Sequence, residues 1–123
     1  MSGRVLIVYD ERTMCEMIEA DLRLRSFEPT WTTSPQEALE KLKSENDQVL
    51  LTDLKMPEMS GTELCQRAGA NRPDVPVVVM TAFGSLDTAV EAIRAGAYDF
   101  VTKPVEMDML ARAFPVSTST MWI

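Results

Sequence analysis

Short, nearly uninterrupted apolar runs alternate along the chain with longer segments in which apolar residues recur every three or four positions. The strongest runs lie at residues 5–8, 49–51 and 75–80, and weaker ones lie at residues 28–33 and 98–102. Continuous runs of β-branched residues and leucine are typical of strands that are buried on both faces of a sheet. The pattern therefore predicts five strands.

A helix is predicted after each strand, because apolar residues recur there at helical spacing. Ser34 at the N-cap, Pro35 at the first helical position and Glu37 in a capping box mark the start of the second helix. Gly96 is placed to cap the fourth helix in a left-handed conformation, and the fifth helical pattern covers residues 105–114. The apolar positions are Met14, Met17, Ile18 and Leu22 in the first helix, Ala38, Leu39 and Leu42 in the second, Leu64 and Ala68 in the third, and Leu86, Ala89, Val90 and Ile93 in the fourth.

Strict alternation of strands and helices predicts an α/β domain in which helices cover both faces of a parallel sheet. The crossover connections are expected to be right-handed. Pro29 in the second run suits an edge strand better than a central one, because proline donates no hydrogen bond to a strand ladder. With 123 residues, the chain has the usual size of one domain, and we expect no second domain.

Charge and composition narrow the classes of function. Nineteen acidic residues outweigh twelve basic ones, which gives a net charge of −7. The basic residues are scattered, so we expect no direct binding of nucleic acid. No apolar stretch approaches the length of a transmembrane helix, so we expect no membrane contact and a cytoplasmic location. Cys15 and Cys65 lie outside any CxxC spacing, which predicts two buried or half-buried free thiols.

The chain contains no histidine. This absence excludes serine–histidine triads, histidine-ligated zinc and a phosphohistidine on this chain. Any chemistry must therefore rest on carboxylates, hydroxyls and lysine.

Four polar residues stand where predicted strands end: Asp10, Asp53, Thr81 and Lys103. Ligands of an open parallel sheet bind beyond the carboxyl ends of its strands. A carboxylate can attack phosphorus if a divalent cation and a lysine offset the charge on the phosphoryl oxygens. Asp53 is the candidate nucleophile, and Asp10 would share Mg²⁺ with it. Lys103 would pair with the transferred group, and Thr81 would donate a hydrogen bond to it.

Each of these residues also has an ordinary structural explanation. An aspartate after a strand most often caps a helix or forms a turn. A threonine at a strand end is commonly just a β-branched strand residue, and a lysine before proline is usually solvated. The occurrence of all four at the carboxyl ends of strands favours the functional interpretation.

Four segments contain these strand-end residues: VLIVYDE at residues 5–11, LTDLKMP at 51–57, MTA at 80–82 and TKP at 102–104. Together they resemble the receiver domains of two-component response regulators, and the similarity extends over about residues 4–114. The resemblance implies a flavodoxin-like, three-layer αβα fold with the strand order 2-1-3-4-5. We therefore expect a receiver domain over residues 1–114 and an atypical tail at residues 115–123.

The same resemblance implies phosphorylation of Asp53 by a sensor histidine kinase and dependence on Mg²⁺. It also implies that the main-chain carbonyl of Lys55 coordinates the metal. It assigns Phe100 to the aromatic position that turns inward when the hydroxyl of Thr81 moves toward the phosphoryl group. Residues 84–104 are most similar to NtrC-type activators that work with sigma-54 polymerase, which implies regulation of transcription. A homodimer is implied through the face of the fourth helix, fifth strand and fifth helix.

One position departs from the family pattern. The family carries an acidic pair after the first strand, whereas this chain has Tyr9 before Asp10. Alignment by Glu11 leaves Asp10 as the direct metal ligand and removes the outer carboxylate. Tyr9 is therefore an atypical pocket residue, and magnesium affinity and phosphorylation rate are the properties that it would change.

Three other functions compete with that of a phosphorylated receiver. A pseudo-receiver, which would signal by protein interaction without phosphate, is favoured by Tyr9 and opposed by the retention of the four strand-end residues. A flavodoxin-like nucleotide or flavin binder would require a glycine-rich phosphate loop, and neither GxGxxG nor GxxxxGK[ST] is present. A hydrolase of the aspartyl-phosphate type would need an acid/base carboxylate two residues after Asp53, where the chain has Lys55. We therefore expect no enzyme.

Overall fold

The structure is a computed structural model that describes residues 3–44, 46–81 and 86–102. Five strands alternate with four helices in this part of the chain. The predicted fifth helix, Lys103 and the tail at residues 115–123 lie outside the described residues. The elements are β1 (Arg4–Val8), α1 (Arg12–Leu24), β2 (Glu28–Thr32), α2 (Pro35–Ser44), β3 (Val49–Asp53), α3 (Gly61–Asn71), β4 (Val77–Thr81), α4 (Leu86–Arg94) and β5 (Asp99–Thr102).

The five strands form one parallel sheet in the order β2-β1-β3-β4-β5. This order confirms the fold implied by the resemblance, a flavodoxin-like α/β domain. β2 is an edge strand, as Pro29 predicted, and Pro29 lies opposite Val5 in the register. The direction of the connections reverses between β1 and β3, which is where ligands bind in sheets of this order.

The core has two layers because successive side chains of each strand point to opposite faces of the sheet. One layer, which we call the α2/α3 core, packs Leu6 and Val8 of β1 against helices α2 and α3. The other, the α1 core, packs Val5 and Ile7 of the same strand against helix α1. All four of these β1 side chains are completely buried. Each continuous apolar run in the sequence thus contributes side chains to both layers of the core.

Two predicted helix ends have the expected geometry. The hydroxyl of Ser34 accepts a hydrogen bond from the amide of Glu37 at 3.2 Å, which caps α2. Gly96 has φ +113°, so it adopts the left-handed conformation after α4. No described helix is both long and apolar enough to cross a bilayer.

Two helices bury a different set of residues than predicted. Cys15 is buried in α1, whereas Met17 is 62% exposed. Met17 precedes the buried Ile18 by one residue, which places it about 100° around the helix from the core. In α4, Val90 and Ile93 are each 41% exposed, while Ala92 is buried. The predicted Ile18 and Leu22 are buried, so the errors are confined to Met17, Val90 and Ile93. The side chains of Leu86 and Ala89 lie outside the described part of the structure.

The strand β4 begins at Val77, two residues later than predicted. The amide of Val75 closes a turn by donating to the carbonyl of Arg72 at 3.0 Å. Pro76, the next residue, has no amide hydrogen. The apolar run at residues 75–80 therefore includes two residues that precede the strand.

Candidate functional site

Three of the four predicted site residues lie at the carboxyl edge of adjacent strands. Asp53 ends β3 and Thr81 ends β4, its neighbour in the sheet, while Asp10 follows β1 on the other side of β3. Lys103 is outside the described residues, but β5 ends at Thr102, which lies opposite Thr81 in the register. The sheet order thus brings the carboxyl ends of β1, β3 and β4 side by side.

The carboxylate of Asp53 is held close to its own backbone. Its Oδ1 accepts a hydrogen bond from the amide of Leu54 at 2.9 Å, and the residue is only 4% exposed. The same amide also donates to the carbonyl of Met80 on β4 at 3.1 Å. This shared amide ties the position of the carboxylate to the β3–β4 ladder.

The backbone around Asp53 is closely packed, and Gly61 is central to that packing. A Cβ added to Gly61 would overlap the carbonyl oxygen of Asp53 and lie 2.7 Å from the Cα of Leu54. The amide of Gly61 donates to the carbonyl of Leu54 at 2.7 Å. The hydroxyl of Thr52 donates to the carbonyl of Asp53 at 2.9 Å. Glycine is therefore required where α3 begins, a role that the sequence pattern did not reveal.

Asp10 is exposed and lies in the loop between β1 and α1. The N-cap of α1 is Glu11, not Asp10. The alternative in which Asp10 serves as a helix cap is therefore wrong. Asp10 follows β1, which pairs with β3, so it lies at the same edge of the sheet as Asp53.

Tyr9 is only 6% exposed and belongs to the α1 core, together with Val5 and Ile7. Its carbonyl accepts a hydrogen bond from the thiol of Cys15 at 3.4 Å, and its amide donates to the carbonyl of Thr32 at 3.4 Å. The aromatic ring therefore contributes to apolar packing at a position where the family carries a carboxylate.

The oxygen atoms at this edge suit Mg²⁺ better than a metal that is coordinated entirely by protein. No group of three or more His, Cys, Asp or Glu residues that could hold a metal occurs in the described part of the chain. Asp10 and Asp53 would offer such an ion two carboxylates, and Lys55 would offer a main-chain carbonyl two residues after Asp53. Mg²⁺ is usually held by one or two carboxylates plus waters and phosphate oxygens. These residues fit that ion.

Thr81 and Phe100 differ in burial. Thr81 is 1% exposed, whereas Phe100 is partly buried and packs against the α2/α3 core. The amide of Phe100 donates to Oδ1 of Asp99 at 2.7 Å. The aromatic ring thus lies at the margin of the core, on the strand adjacent to Thr81.

Both cysteines are free and buried, as predicted. Burial raises the pKa of Cys15 to about 11, an effect reinforced by the nearby charge of Asp10 and reduced by the hydrogen bond to Tyr9. Burial alone raises the pKa of Cys65 to about 12. Both side chains are therefore protonated at neutral pH and act as small apolar groups of the core.

The sequence matches the model of a known protein family. The family model described as the response regulator receiver domain matches residues 5–114. Response regulator protein PilR of Pseudomonas aeruginosa is 40% identical over 107 residues, which cover 87% of this chain and 24% of that protein. Transcriptional regulatory protein ZraR of Klebsiella oxytoca is 36% identical over 113 residues, covering 89% and 26%. The chain thus spans about a quarter of the length of these curated relatives.

Solved structures with a similar fold belong to the same family. The crystal structure of FixJ-N has a TM-score of 0.87 at 32% identity and covers 100% of this chain and 97% of that one. The solution structure of the beryllofluoride-activated NtrC4 receiver domain dimer has a TM-score of 0.82 at 35% identity, covering 90% and 95%. The NtrC4 similarity agrees with the NtrC-type resemblance of residues 84–104. By sequence and by fold, the chain belongs to the family of response regulator receiver domains.

Proposed function

We propose that the chain accepts a phosphoryl group on Asp53 from a sensor histidine kinase and converts this event into a change of its signalling surface. The observation that carries the proposal is the carboxylate of Asp53, buried and anchored at 2.9 Å to its own backbone between the strand ends that bear Asp10 and Thr81. An anchored carboxylate loses little further freedom when it attacks a donor. The proposed location is the cytoplasm.

In the proposed reaction, an oxygen of Asp53 attacks the phosphorus of a phosphohistidine on the kinase. The bond from Asp53 oxygen to phosphorus forms, the bond from phosphorus to imidazole nitrogen breaks, and the imidazole takes up a proton. The phosphohistidine must come from a partner, because this chain has no histidine. When bound, Mg²⁺ offsets the negative charge of the phosphoryl oxygens, and Asp10, Asp53 and the carbonyl of Lys55 would hold it.

Two further residues are proposed to recognise the phosphoryl group. The hydroxyl of Thr81 would donate a hydrogen bond to a phosphoryl oxygen, and the ammonium group of Lys103 would pair with its charge. Movement of Thr81 would vacate space on its face of the sheet, and Phe100 would turn inward to fill it. Phosphorylation would then bias two existing conformations of the domain.

The proposed output surface includes α4 and β5, together with the predicted fifth helix. Val90 and Ile93 are each 41% exposed and Tyr98 is 55% exposed, which leaves apolar area at the surface next to β5. The NtrC4 receiver is described as a dimer in its beryllofluoride-activated state. We propose that this chain also forms a homodimer, through the output surface of α4, β5 and the predicted fifth helix. Regulation of transcription is the proposed output, in keeping with the name of the ZraR relative.

The test is the intact mass of the protein after incubation with Mg²⁺ and a small phosphodonor such as acetyl phosphate. The mass should increase by one phosphoryl group, and omission of Mg²⁺ or the substitution Asp53→Asn should abolish the increase. An unchanged mass for the wild-type protein under conditions that modify a known receiver would reject phosphoryl acceptance.

The burial of Tyr9 in the α1 core favours one alternative, a pseudo-receiver that keeps the fold and signals without phosphate. A pseudo-receiver would bind its partner equally well as wild type and as Asp53→Asn. A phosphorylatable receiver should lose the response to phosphodonor in the variant. Partner binding, measured with and without phosphodonor, therefore separates the two.

A further inference from the structure

The loop between β3 and α3 is hydrogen-bonded to the start of helix α2, which precedes β3 in the sequence. Oε1 of Glu58 accepts a hydrogen bond from the hydroxyl of Ser34 at 3.0 Å and another from the amide of Gln36 at 3.2 Å. Ser34 and Gln36 stand at the N-terminus of α2. Helix N-termini carry partial positive charge, so they are favourable partners for a carboxylate.

The attachment point on α2 makes further hydrogen bonds of its own. The hydroxyl that donates to Glu58 accepts from the amide of Glu37 at 3.2 Å, so Ser34 caps the helix and binds the loop at once. The amide of Ser34 donates to Oγ1 of Thr32 at 3.1 Å, and Thr32 is the last residue of β2. Glu58 is thereby connected to the edge of the sheet.

The rest of the loop is held by other means. Met56 and Met59 are buried in the α2/α3 core at 9% and 8% exposure. The loop starts at the anchored Asp53 and ends at Gly61, which packs on the Asp53 backbone. Lys55 lies between Asp53 and the attachment at Glu58, next to the buried Met56.

We propose that Glu58 is a positioning residue: by fixing the loop to the N-terminus of α2, it holds the main-chain carbonyl of Lys55 in the place that a metal ion beside Asp53 requires. The inference rests on the proposed function, because Lys55 matters only if the site binds a metal. It would also connect the start of α2 to the phosphoryl site through the two hydrogen bonds of Glu58.

A simpler effect must be separated from positioning, because Glu58 carries a negative charge that would attract a cation from a distance. Glu58→Ala removes the charge and both hydrogen bonds. Glu58→Gln removes the charge but keeps an amide oxygen that can accept from Ser34 and Gln36. Glu63→Ala is the matched control, since Glu63 is an acid at the start of α3 whose carboxylate pairs with Arg67 in the same helix at 2.7 Å.

The experiment measures two quantities for the full chain: amide hydrogen exchange of residues 55–60 without metal, and the affinity for Mg²⁺ by titration. Loss of a residue that orients metal ligands typically weakens metal binding by about 10- to 100-fold. Glu58→Ala should therefore show faster amide exchange in the loop and bind Mg²⁺ about tenfold more weakly. Glu58→Gln should recover most of both properties, and Glu63→Ala should retain both.

Three results would overturn the proposal. One is unchanged loop exchange in Glu58→Ala, and another is faster exchange with wild-type affinity for Mg²⁺. The third is equal weakening in Glu58→Gln and Glu58→Ala, which would assign the effect to charge alone. If the wild-type protein binds no Mg²⁺, the proposed function fails, and with it the role of Glu58 toward a metal. The exchange comparison would still decide whether Glu58 restrains the loop.

Discussion

Phe100 and Thr81 lie on the same face of neighbouring strands. Phe100 is opposite Val79 in the β4–β5 register, and Thr81 is two residues farther along β4 from Val79. Residues two apart on a strand share a face, and both Val79 and Phe100 pack in the α2/α3 core. A displacement of Thr81 toward the carboxyl edge would therefore change the space available to the ring of Phe100.

The first prediction concerns this pair. Beryllofluoride, which mimics the phosphoryl group, should change the amide chemical shifts of residues 84–114 in the wild-type protein. Thr81→Val keeps the shape of the side chain but removes its hydroxyl, so the changes beyond β4 should become much smaller while those next to Asp53 persist. The measurement is a pair of two-dimensional NMR spectra for each protein. Full shift changes in Thr81→Val would show that the hydroxyl does not couple the two regions.

The second prediction compares two glycines of α3. Gly61→Ala should destabilise the fold by about 1–3 kcal/mol, because its Cβ has no room beside the Asp53 backbone. Gly69→Ala, in the same helix, should stabilise the fold by about 0.5–1 kcal/mol, because nothing lies within 4 Å of the added Cβ. Urea denaturation of both variants and wild type gives the values. Equal stability of the two variants would contradict the packing described for Gly61.

The third prediction concerns Tyr9, through a comparison of Tyr9→Asp with Tyr9→Asn. Both variants lose the buried ring, and only Tyr9→Asp adds a negative charge near the other carboxylates. Without metal, Tyr9→Asp should be the less stable variant by about 1 kcal/mol or more, because position 9 is buried and the added charge is repelled by the other carboxylates.

Mg²⁺ should stabilise Tyr9→Asp more than Tyr9→Asn, because a ligand that binds only the folded state stabilises it in proportion to its affinity. Denaturation curves with and without Mg²⁺ at constant ionic strength provide both comparisons. If the two variants respond identically to Mg²⁺, position 9 does not contribute to the electrostatics of the metal site.

The fourth prediction follows from the two buried thiols. Folding raises the pKa of Cys15 to about 11 and that of Cys65 to about 12, from 9.0. The folded state therefore binds more protons than the unfolded state above pH 9, and this contribution to stability is complete below that pH and lost as pH rises toward 12. The free energy of unfolding should fall over this alkaline range.

Cys65→Ala should fall less steeply with pH than wild type, although its stability at pH 7 is lower because the substitution leaves a cavity. Denaturation at a series of pH values from 8 to 11 measures the slopes. A variant slope equal to that of wild type would mean that Cys65 does not contribute to the pH dependence.

The sequence predicted the elements that depend on local pattern. The apolar run of β3 and its end at Asp53 were predicted from the sequence, because a strand buried on both faces is apolar over most of its length. The cap at Ser34 and the left-handed Gly96 were also predicted, since each depends on a few adjacent residues. The strand order was available only through the resemblance, because the pattern of alternation is common to several sheet orders.

What the sequence did not predict depends on contacts between distant residues. The hydrogen bond between Ser34 and Glu58 joins positions 24 residues apart, and no local pattern signals it. The close approach of Gly61 to Asp53 likewise arises only when α3 is folded onto the end of β3. The exposure of Met17 was misjudged because helical spacing defines a stripe but does not determine which side of it faces the sheet.

Phosphorylation of Asp53 is tested most directly by locating the modified residue itself. The protein is treated with Mg²⁺ and phosphodonor and then with borohydride, which reduces an aspartyl phosphate to homoserine, and the product is identified by mass spectrometry of its peptides. We expect homoserine at position 53 only, and none in the sample without phosphodonor. Homoserine at position 10, or at neither position in a sample whose intact mass shows one added phosphoryl group, would contradict Asp53 as the acceptor.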